Sequence, residues 1–365
     1  MGKVKYKVPS MKEVEEIKWN GCNVVSTFSG GGGSCLGYRM AGYRVLYANE
    51  FVEEAQKTYK LNHPNSYLDT RDIRKVTPED ILEKVNLKAG ELDLFDGSPP
   101  CCAFSTAGSR EKGWGKVKSY SDTAQRVDDL FFEYIRLVKG LQPKVFIAEN
   151  VTGLVKGTAK GYFNTIISEL RKCGYVVKAG KINSMWLGVP QARERIIFCG
   201  VRKDLNEKWG LEPVFPRPND WYYTLADAFE DVINDPDEVK LRCAEANKYA
   251  FGKVLKKIEK NPKKAVQGSK IMNGLYFNLV RESMYQPCST ICQMNGKSNA
   301  SGNCHPLEDR KFTIAELKRI TSIPDDFKLT GSLSQQWERL GRMVPPLMMK
   351  AVAETVYKEI LCKVK

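Results

Sequence analysis

Asn23-Val24-Val25-Ser26-Thr27-Phe28-Ser29-Gly30-Gly31-Gly32-Gly33-Ser34 is the stretch whose reading decides the fold. Asn23 to Phe28 is a short apolar strand, the glycines make a turn, and Cys35 to Gly42 carries helical spacing. Tyr43 to Asn49 is the next strand, with Glu50 at its carboxyl end. Leu92 to Asp96 is another, ending at the Pro99-Pro100-Cys101 turn. Val127 to Gly140 has helical periodicity, and Val145 to Ala148 is a buried-type strand leading to Glu149. Tyr162 to Cys173 reads as an amphipathic helix and Arg195 to Val201 as a further strand. Strands alternating with helices predict an α/β fold with a doubly wound, mostly parallel sheet. Ligands of such sheets sit beyond the carboxyl ends of the strands. The glycine loop, Glu50, Asp72, Cys101 and Glu149 all fall there.

The alternation breaks after Arg202. Pro213, Pro216, Pro218 and Asn219-Asp220 mark a linker, and Lys248 to Lys264 is lysine-dense with aromatic residues. Gly296 to Pro306 is rich in Gly, Ser and Asn and reads as loop. A second, smaller domain is expected over 205–308, after a first over 1–204. Thr313 to Ile320 and Pro346 to Val364, within 309–365, are helical again.

A chain of 365 residues suits two domains, or one large domain with an insertion. Hydrophobic content of 42% supports a sizeable core. The formal charge of +14 favours a polyanionic partner over the bland reading of a basic soluble protein. Met1 to Asn20 is polar and lysine-rich, and no run approaches a membrane span. With an odd count of 11 cysteines, free thiols in a reducing cytosol are expected, hence a cytoplasmic protein. Cys288, Cys292 and Cys304-His305 lie close together but lack a CxxC pair, so no metal is expected.

Three sets of residues carry chemistry. Glycines let a backbone approach a ligand closely, and the following helix N-terminus offers amide donors. An acid at the end of the second strand, Glu50, is placed for ribose hydroxyls. A nicotinamide dinucleotide is the rival ligand, but nothing downstream resembles a hydride-transfer site. Cys101 is the candidate nucleophile, because a turn near cationic groups favours the thiolate and Pro99-Pro100 fix the backbone before it. An inert structural thiol and a strained Cys101-Cys102 redox pair are the competing readings. Glu149, behind four apolar residues, is expected to be desolvated and to hold a proton for a ring nitrogen. Its competing reading is a helix-capping acid. Of Arg193 and Arg195, one could grip a base or a carboxylate in bidentate fashion, with exposed charge or phosphate contact as the alternatives.

Taken in order, these stretches resemble the DNA cytosine-C5 methyltransferase family over nearly the whole chain. They are Thr27 to Gly33, Asp72-Ile73, Pro99-Pro100-Cys101, Phe104-Ser105, Glu149-Asn150-Val151 and Gln191 to Arg195. Arg310 to Glu316, Ile323 to Phe327 and Gly341 to Pro346 complete the series. The resemblance implies a Rossmann-like catalytic domain over 1–204, a target-recognition domain over 205–308 and a C-terminal return over 309–365 to the catalytic domain. It implies S-adenosylmethionine as donor, cradled by Phe28, Ser29 and Gly30, Gly31, Gly32 and Gly33. Glu50 would take the ribose and Asp72-Ile73 the adenine, with Pro99, Arg342 and Val344 completing the pocket. A cytosine would be flipped out of double-stranded DNA. Cys101 would attack C6, Glu149 would bind N3 and the amino group, and Arg193 would hold the cytosine oxygen. Asn150 and Arg195 would support the site, and Ser105 would touch the adjoining phosphate. Lys253, Lys256 and Lys257 are candidate phosphate contacts or a solvated helix face. A monomer in the cytoplasm of a prokaryotic or phage-infected cell is expected, serving DNA modification.

Two positions depart from the family's pattern. Cys102 stands where glutamine normally follows the nucleophile, and Arg342 stands where asparagine is usual in Gly-Asn-x-Val-Pro. An arginine near the sulfonium would suit an anionic transferred group, as in carboxy-S-adenosylmethionine, giving 5-carboxymethylcytosine. The bland alternative pairs it with a neighbouring acid. An RNA (tRNA) cytosine methyltransferase and a catalytically inactive DNA-binding regulator are the remaining alternatives.

Overall fold

The computed structural model describes residues 3–100, 118–120, 123–125, 129–155 and 159–364. Cys101, Cys102, Phe104 and Ser105 lie outside the described residues. The chain divides into two compact units. One comprises Glu15–Ile182, Glu194–Arg217 and Met349–Lys365, and the other Met1–Val14, Asn183–Arg193 and Pro218–Met348.

The first unit is built on seven strands: β1 (Asn23–Thr27), β2 (Arg44–Asn49), β3 (Tyr67–Asp69), β4 (Leu94–Gly97), β5 (Val145–Val151), β6 (Tyr175–Asn183) and β7 (Glu194–Arg202). Their order in the sheet is β3-β2-β1-β4-β5-β7-β6. Neighbours from β3 to β5 run parallel, whereas β7 is antiparallel to β5 and sets Ile197 opposite Glu149. The expected doubly wound α/β fold with a mostly parallel sheet is therefore present. β4 is buried along its whole length and β1 at four of its five residues, as central strands covered on both faces must be.

The helices follow local signals. α1 (Gly33–Met40) begins inside the glycine run, two residues before the expected Cys35, because Gly32 at φ +95° turns the chain into it. α2 (Glu53–Asn62) follows β2. α3 (Pro78–Val85) opens with a capping box between Thr77 and Asp80 and proline in its first turn, and it stops at left-handed Asn86. α4 (Leu130–Leu141) and α5 (Ala159–Lys172) cover the sheet, with Phe95, Phe131, Tyr134, Phe146 and Phe198 in one core. The Tyr134 and Phe95 rings stack at 4.8 Å. α6 (Lys203–Trp209) follows β7.

The second unit relies on polar burial more than on regular structure. Its helices are α7 (Leu225–Phe229), α8 (Pro236–Lys248), α9 (Ala250–Leu255), α10 (Ile314–Ile320) and α11 (Leu333–Arg342). Strands of two residues, Val266–Gln267, Val280–Arg281 and Asn303–Cys304, form a small sheet. Asn303–Cys304 falls inside the stretch read as loop, because so short a strand exists only through its pairing with Val280–Arg281. Arg310 is buried against Glu316 at 2.7 Å, Arg242 against Glu238 at 3.1 Å, and Arg281 against Asp309. Buried pairs of this kind specify an arrangement rather than add much net stability. On α9, Phe251, Val254 and Leu255 are buried and Lys253 is exposed, as are Lys256 and Lys257 just past its end. From Met349 on, α12 (Pro346–Glu359) belongs to the first unit, where the carbonyl of its Ala353 accepts from Tyr43 Oη at 2.9 Å.

The residues considered for a metal have other roles. His305 Nδ1 accepts from the Leu307 and Glu308 amides, and Cys304 Sγ points at the Gly302 carbonyl. Among the described residues no group of three His, Cys, Asp or Glu is placed to hold a metal ion. No helix among them is long and apolar enough to cross a membrane.

Candidate active site

In the first unit the notable side chains gather where the strands end. Phe28 leaves β1 at φ +54°, a backbone region costly for a bulky residue and tolerated where surrounding contacts enforce it. Gly30 follows at φ +55° and its N–H donates to Glu50 Oε2 at 2.7 Å. Glu50 Oε1 accepts from the Val52 amide, also at 2.7 Å. The acid thus ties the glycine loop to the end of β2, and a carboxylate has lone pairs beyond these two bonds. Gly32 has no room for a side chain, since a Cβ there would stand 2.2 Å from His63 Nε2. A Cβ on Gly30, by contrast, would meet nothing within 4 Å. The outer side of the loop is open, and the N-terminus of α1 carries no side-chain cap. The open space beside Gly30, at the end of β1 and ahead of the uncapped α1, leaves room for a nucleoside-type ligand.

Asp72 caps a single 3-10 turn, Ile73–Lys75, and pairs with Arg74 at 3.2 Å. Ile73 is a core residue. Pro99 is buried, and its carbonyl accepts from Asn150 Nδ2 at 3.0 Å. Glu149, 8% exposed at the end of β5, faces Arg195 of β7, whose Nε lies 2.7 Å from Oε1. The N–H does not point along that contact, so Oε1 is charge-balanced yet makes no aligned hydrogen bond. Such a carboxyl is ready to accept from, or donate to, a ring nitrogen and an amino group.

Arg193, Arg342 and Val344 belong to the second unit. Arg193 is buried, and its Nη1 donates to the Gly341 carbonyl at 3.0 Å, at the end of α11. Arg342 turns back along α11 to Glu338, with Nη2 at 2.8 Å and Nε at 2.9 Å from Oε1. Val344 is buried. The two arginines of Gln191 to Arg195 therefore serve different partners: Arg195 the acid of the sheet, Arg193 the last turn of a helix.

One residue of the sheet's strand ends escaped the reading of the sequence. Asp96 of β4 is 1% exposed and bonded to Ser26 and Tyr38. The only signal was an acid at the end of the run Leu92 to Asp96, which reads simply as a strand.

A mixed, mostly parallel sheet with a glycine loop at its first strand end is the layout of α/β proteins that take nucleoside-type ligands beyond their strand ends. The C-5 cytosine-specific DNA methylase model matches residues 22–358, and the chain belongs to that family. Type II methyltransferase M.NgoPII of Neisseria gonorrhoeae is 28% identical over 377 residues, covering 96% of this chain and 99% of that protein. Type II methyltransferase M1.HphI of Haemophilus parahaemolyticus is 31% identical over 350 residues, covering 92% and 86%. Among solved structures, a candidate DNA modification methyltransferase from an Escherichia coli prophage aligns with a TM-score of 0.69 at 21% identity, covering 93% of this chain and 99% of that one. The Dnmt2 methyltransferase of S. pombe aligns at 0.61 with 14% identity, covering 92% and 98%. The two structural likenesses bear on the fold alone.

Proposed function

We propose that the chain methylates C5 of a cytosine flipped out of double-stranded DNA, with S-adenosylmethionine as donor and Cys101 as nucleophile. When bound, the donor supplies an electrophilic methyl group on a sulfonium. The loop from Phe28 to Gly33 and Glu50 hold it, with Asp72, Ile73, Pro99 and Val344 as further pocket residues. The Cys101 sulfur adds to C6 while Glu149 binds N3 and the amino group, which makes C5 electron-rich. C5 would take the methyl group as its bond to the sulfonium breaks and the thioether is released. A base would then remove the C5 proton while the C6–sulfur bond breaks and returns the Cys101 thiolate. Arg195 balances the Glu149 charge, Arg193 holds the cytosine oxygen, and Asn150 keeps the Pro99 turn beside the acid. Ser105, Lys253, Lys256 and Lys257 meet phosphates.

One observation carries the reading: Asn150, directly after Glu149, is hydrogen-bonded to Pro99, two residues before Cys101. The acid and the root of the thiol-bearing turn are thereby held at one strand end. The Arg342–Glu338 pair supports the plain methyl donor over carboxy-S-adenosylmethionine, because the guanidinium already has an acid of its own helix to balance. The protein would act as a monomer in the cytoplasm, within restriction-modification. The domain roles stay those of the family: 1–204 catalytic, 205–308 target-reading, 309–365 returning.

The test is a covalent trap on 5-fluorocytosine DNA with Cys101→Ala and Cys102→Ala. Loss of the trap in Cys101→Ala alone supports the assignment, and loss in Cys102→Ala alone overturns it. Incubation with both donors, followed by mass analysis of the nucleosides, is expected to give 5-methylcytosine in the wild type and in Arg342→Asn. An RNA substrate in parallel separates the tRNA alternative, and no trap at all would mark an inactive regulator.

A further inference from the structure

Asp96 takes no part in the scheme above, yet it is the most deeply buried acid of the strand ends. Its Oδ2 accepts from Ser26 Oγ at 2.8 Å and its Oδ1 from Tyr38 Oη at 3.1 Å. Ser26 Oγ in turn accepts from Ser29 Oγ at 3.1 Å. A line of hydroxyls therefore runs from the Asp96 carboxyl to Ser29, the residue that opens the glycine loop. No ion pair involves Asp96 among the described residues. The titratable groups that face it are Tyr38 and Cys35 on α1, Tyr134 on α4 and Glu149 on β5.

We propose that Asp96 is a positioning residue whose charge sets the direction of the Ser26–Ser29 relay and biases the loop toward a cationic sulfonium over its neutral thioether product. This rests on the donor reading of the loop. An ionised carboxylate can only accept, so Ser26 donates to it and Ser29 donates inward to Ser26. The remaining lone pairs of Ser29 are then left for other donors, among them the Cys35 thiol beside both serines and a ligand in the loop. A protonated Asp96 must donate once. Tyr38 Oη is fully buried with Asp96 as its acceptor, so the proton goes to the Ser26 side. Ser26 then donates to Ser29, and the Ser29 hydrogen turns outward. The outward face of the loop changes from acceptor to donor, and a buried negative charge disappears with it.

Both changes disfavour a positive ligand, because charges in a poorly solvated site are weakly screened. Burial pushes the Asp96 pKa up to about 7, with the Glu149 carboxylate adding to it against the pull of the Ser26 and Tyr38 hydroxyls. The relay would switch across the neutral range.

Calorimetric titration of the intact protein with S-adenosylmethionine and, separately, S-adenosylhomocysteine at pH 6, 7 and 8 reads this directly. The sulfonium lowers the ammonium pKa of its own ligand, so the ligands' titration is removed by comparing each wild-type ratio with that of the variants at the same pH. In the wild type the preference for the sulfonium is expected to rise about tenfold from pH 6 to pH 8. Asp96→Asn is expected to flatten that rise. Ser26→Ala, which cuts the relay and keeps the acid, is expected to reduce that rise to the part due to the Asp96 charge alone, and it serves if Asp96→Asn does not fold. A ratio that stays constant with pH in the wild type overturns the proposal, as does an undiminished rise in Ser26→Ala. Binding of neither ligand to the wild type overturns both this assignment and the donor reading beneath it.

Discussion

Asn150 Nδ2 donates to the carbonyl of Pro99 across 3.0 Å, while Asn150 Oδ1 accepts from the Val151 amide at 2.9 Å. The side-chain amide is thus oriented by both ends, and it joins β5, which bears Glu149, to the turn that leads to Cys101. Removing it in Asn150→Ala leaves a buried carbonyl without its donor, a cost of about 1–3 kcal/mol. Expressed in the chemical step, that is roughly ten- to hundredfold in single-turnover rate. Donor affinity is expected to hold within about threefold, since Asn150 makes no contact with the glycine loop. Rapid-quench kinetics beside donor titration checks the split.

The Glu149–Arg195 contact separates charge from hydrogen bonding. Glu149→Gln keeps the shape and gives up the carboxyl that would meet the ring nitrogen, so the methylation rate is expected to fall by about 10²–10⁴. Arg195→Ala leaves the acid buried without its cation and is expected to cost about 3 kcal/mol of stability. Urea unfolding of both variants should find the second much the less stable.

Two glycines of the loop make opposite demands. Gly32→Ala drives a Cβ to 2.2 Å from His63 at φ +95° and is expected to destabilise the fold by more than about 2 kcal/mol. Gly30→Ala meets empty space, so only about 1 kcal/mol of backbone strain is expected. Its methyl group would stand in the cradle and weaken donor binding. A variant with near-normal melting and impaired donor titration at Gly30 is the outcome that supports the cradle.

Asp96 also makes stability depend on pH. Its folded pKa is raised from 3.8 to about 7, so the native chain binds a proton that the unfolded chain releases between those values. Its contribution is fully present below about pH 4 and is lost as pH rises through 7. A shift of about three units corresponds to roughly 4 kcal/mol. Asp96→Asn is expected to remove this fall, which denaturant titrations at pH 5.5 and pH 8 would measure.

If Lys253, Lys256 and Lys257 meet phosphates, changing all three to glutamine reduces the slope of log affinity against log salt by up to about 2.7. Methylation rates at saturating DNA should stay as they were. An unchanged slope would leave these residues as the solvated face of α9.

Much of the first unit was legible because its signals are local. An apolar run and four glycines act over a few residues, and β1 and the turn into α1 follow them closely, whereas α3 with its Thr77–Asp80 capping box went unread. The second unit was far less legible. Its two-residue strands have no periodicity to read, and its core is held by Arg310–Glu316, Arg242–Glu238 and Arg281–Asp309 pairs that join residues which look like surface charges in a linear chain.

The alternation of strands and helices, the glycine turn and the placing of acids at strand ends are written in the order of residues, since short-range sterics and hydrophobic spacing are enough to produce them. Which arginine meets Glu149, which way β7 runs and whether Asp96 carries a proton depend on the assembled sheet. Those outcomes belong to partners dozens of residues apart and to water excluded only after the chain has closed around them.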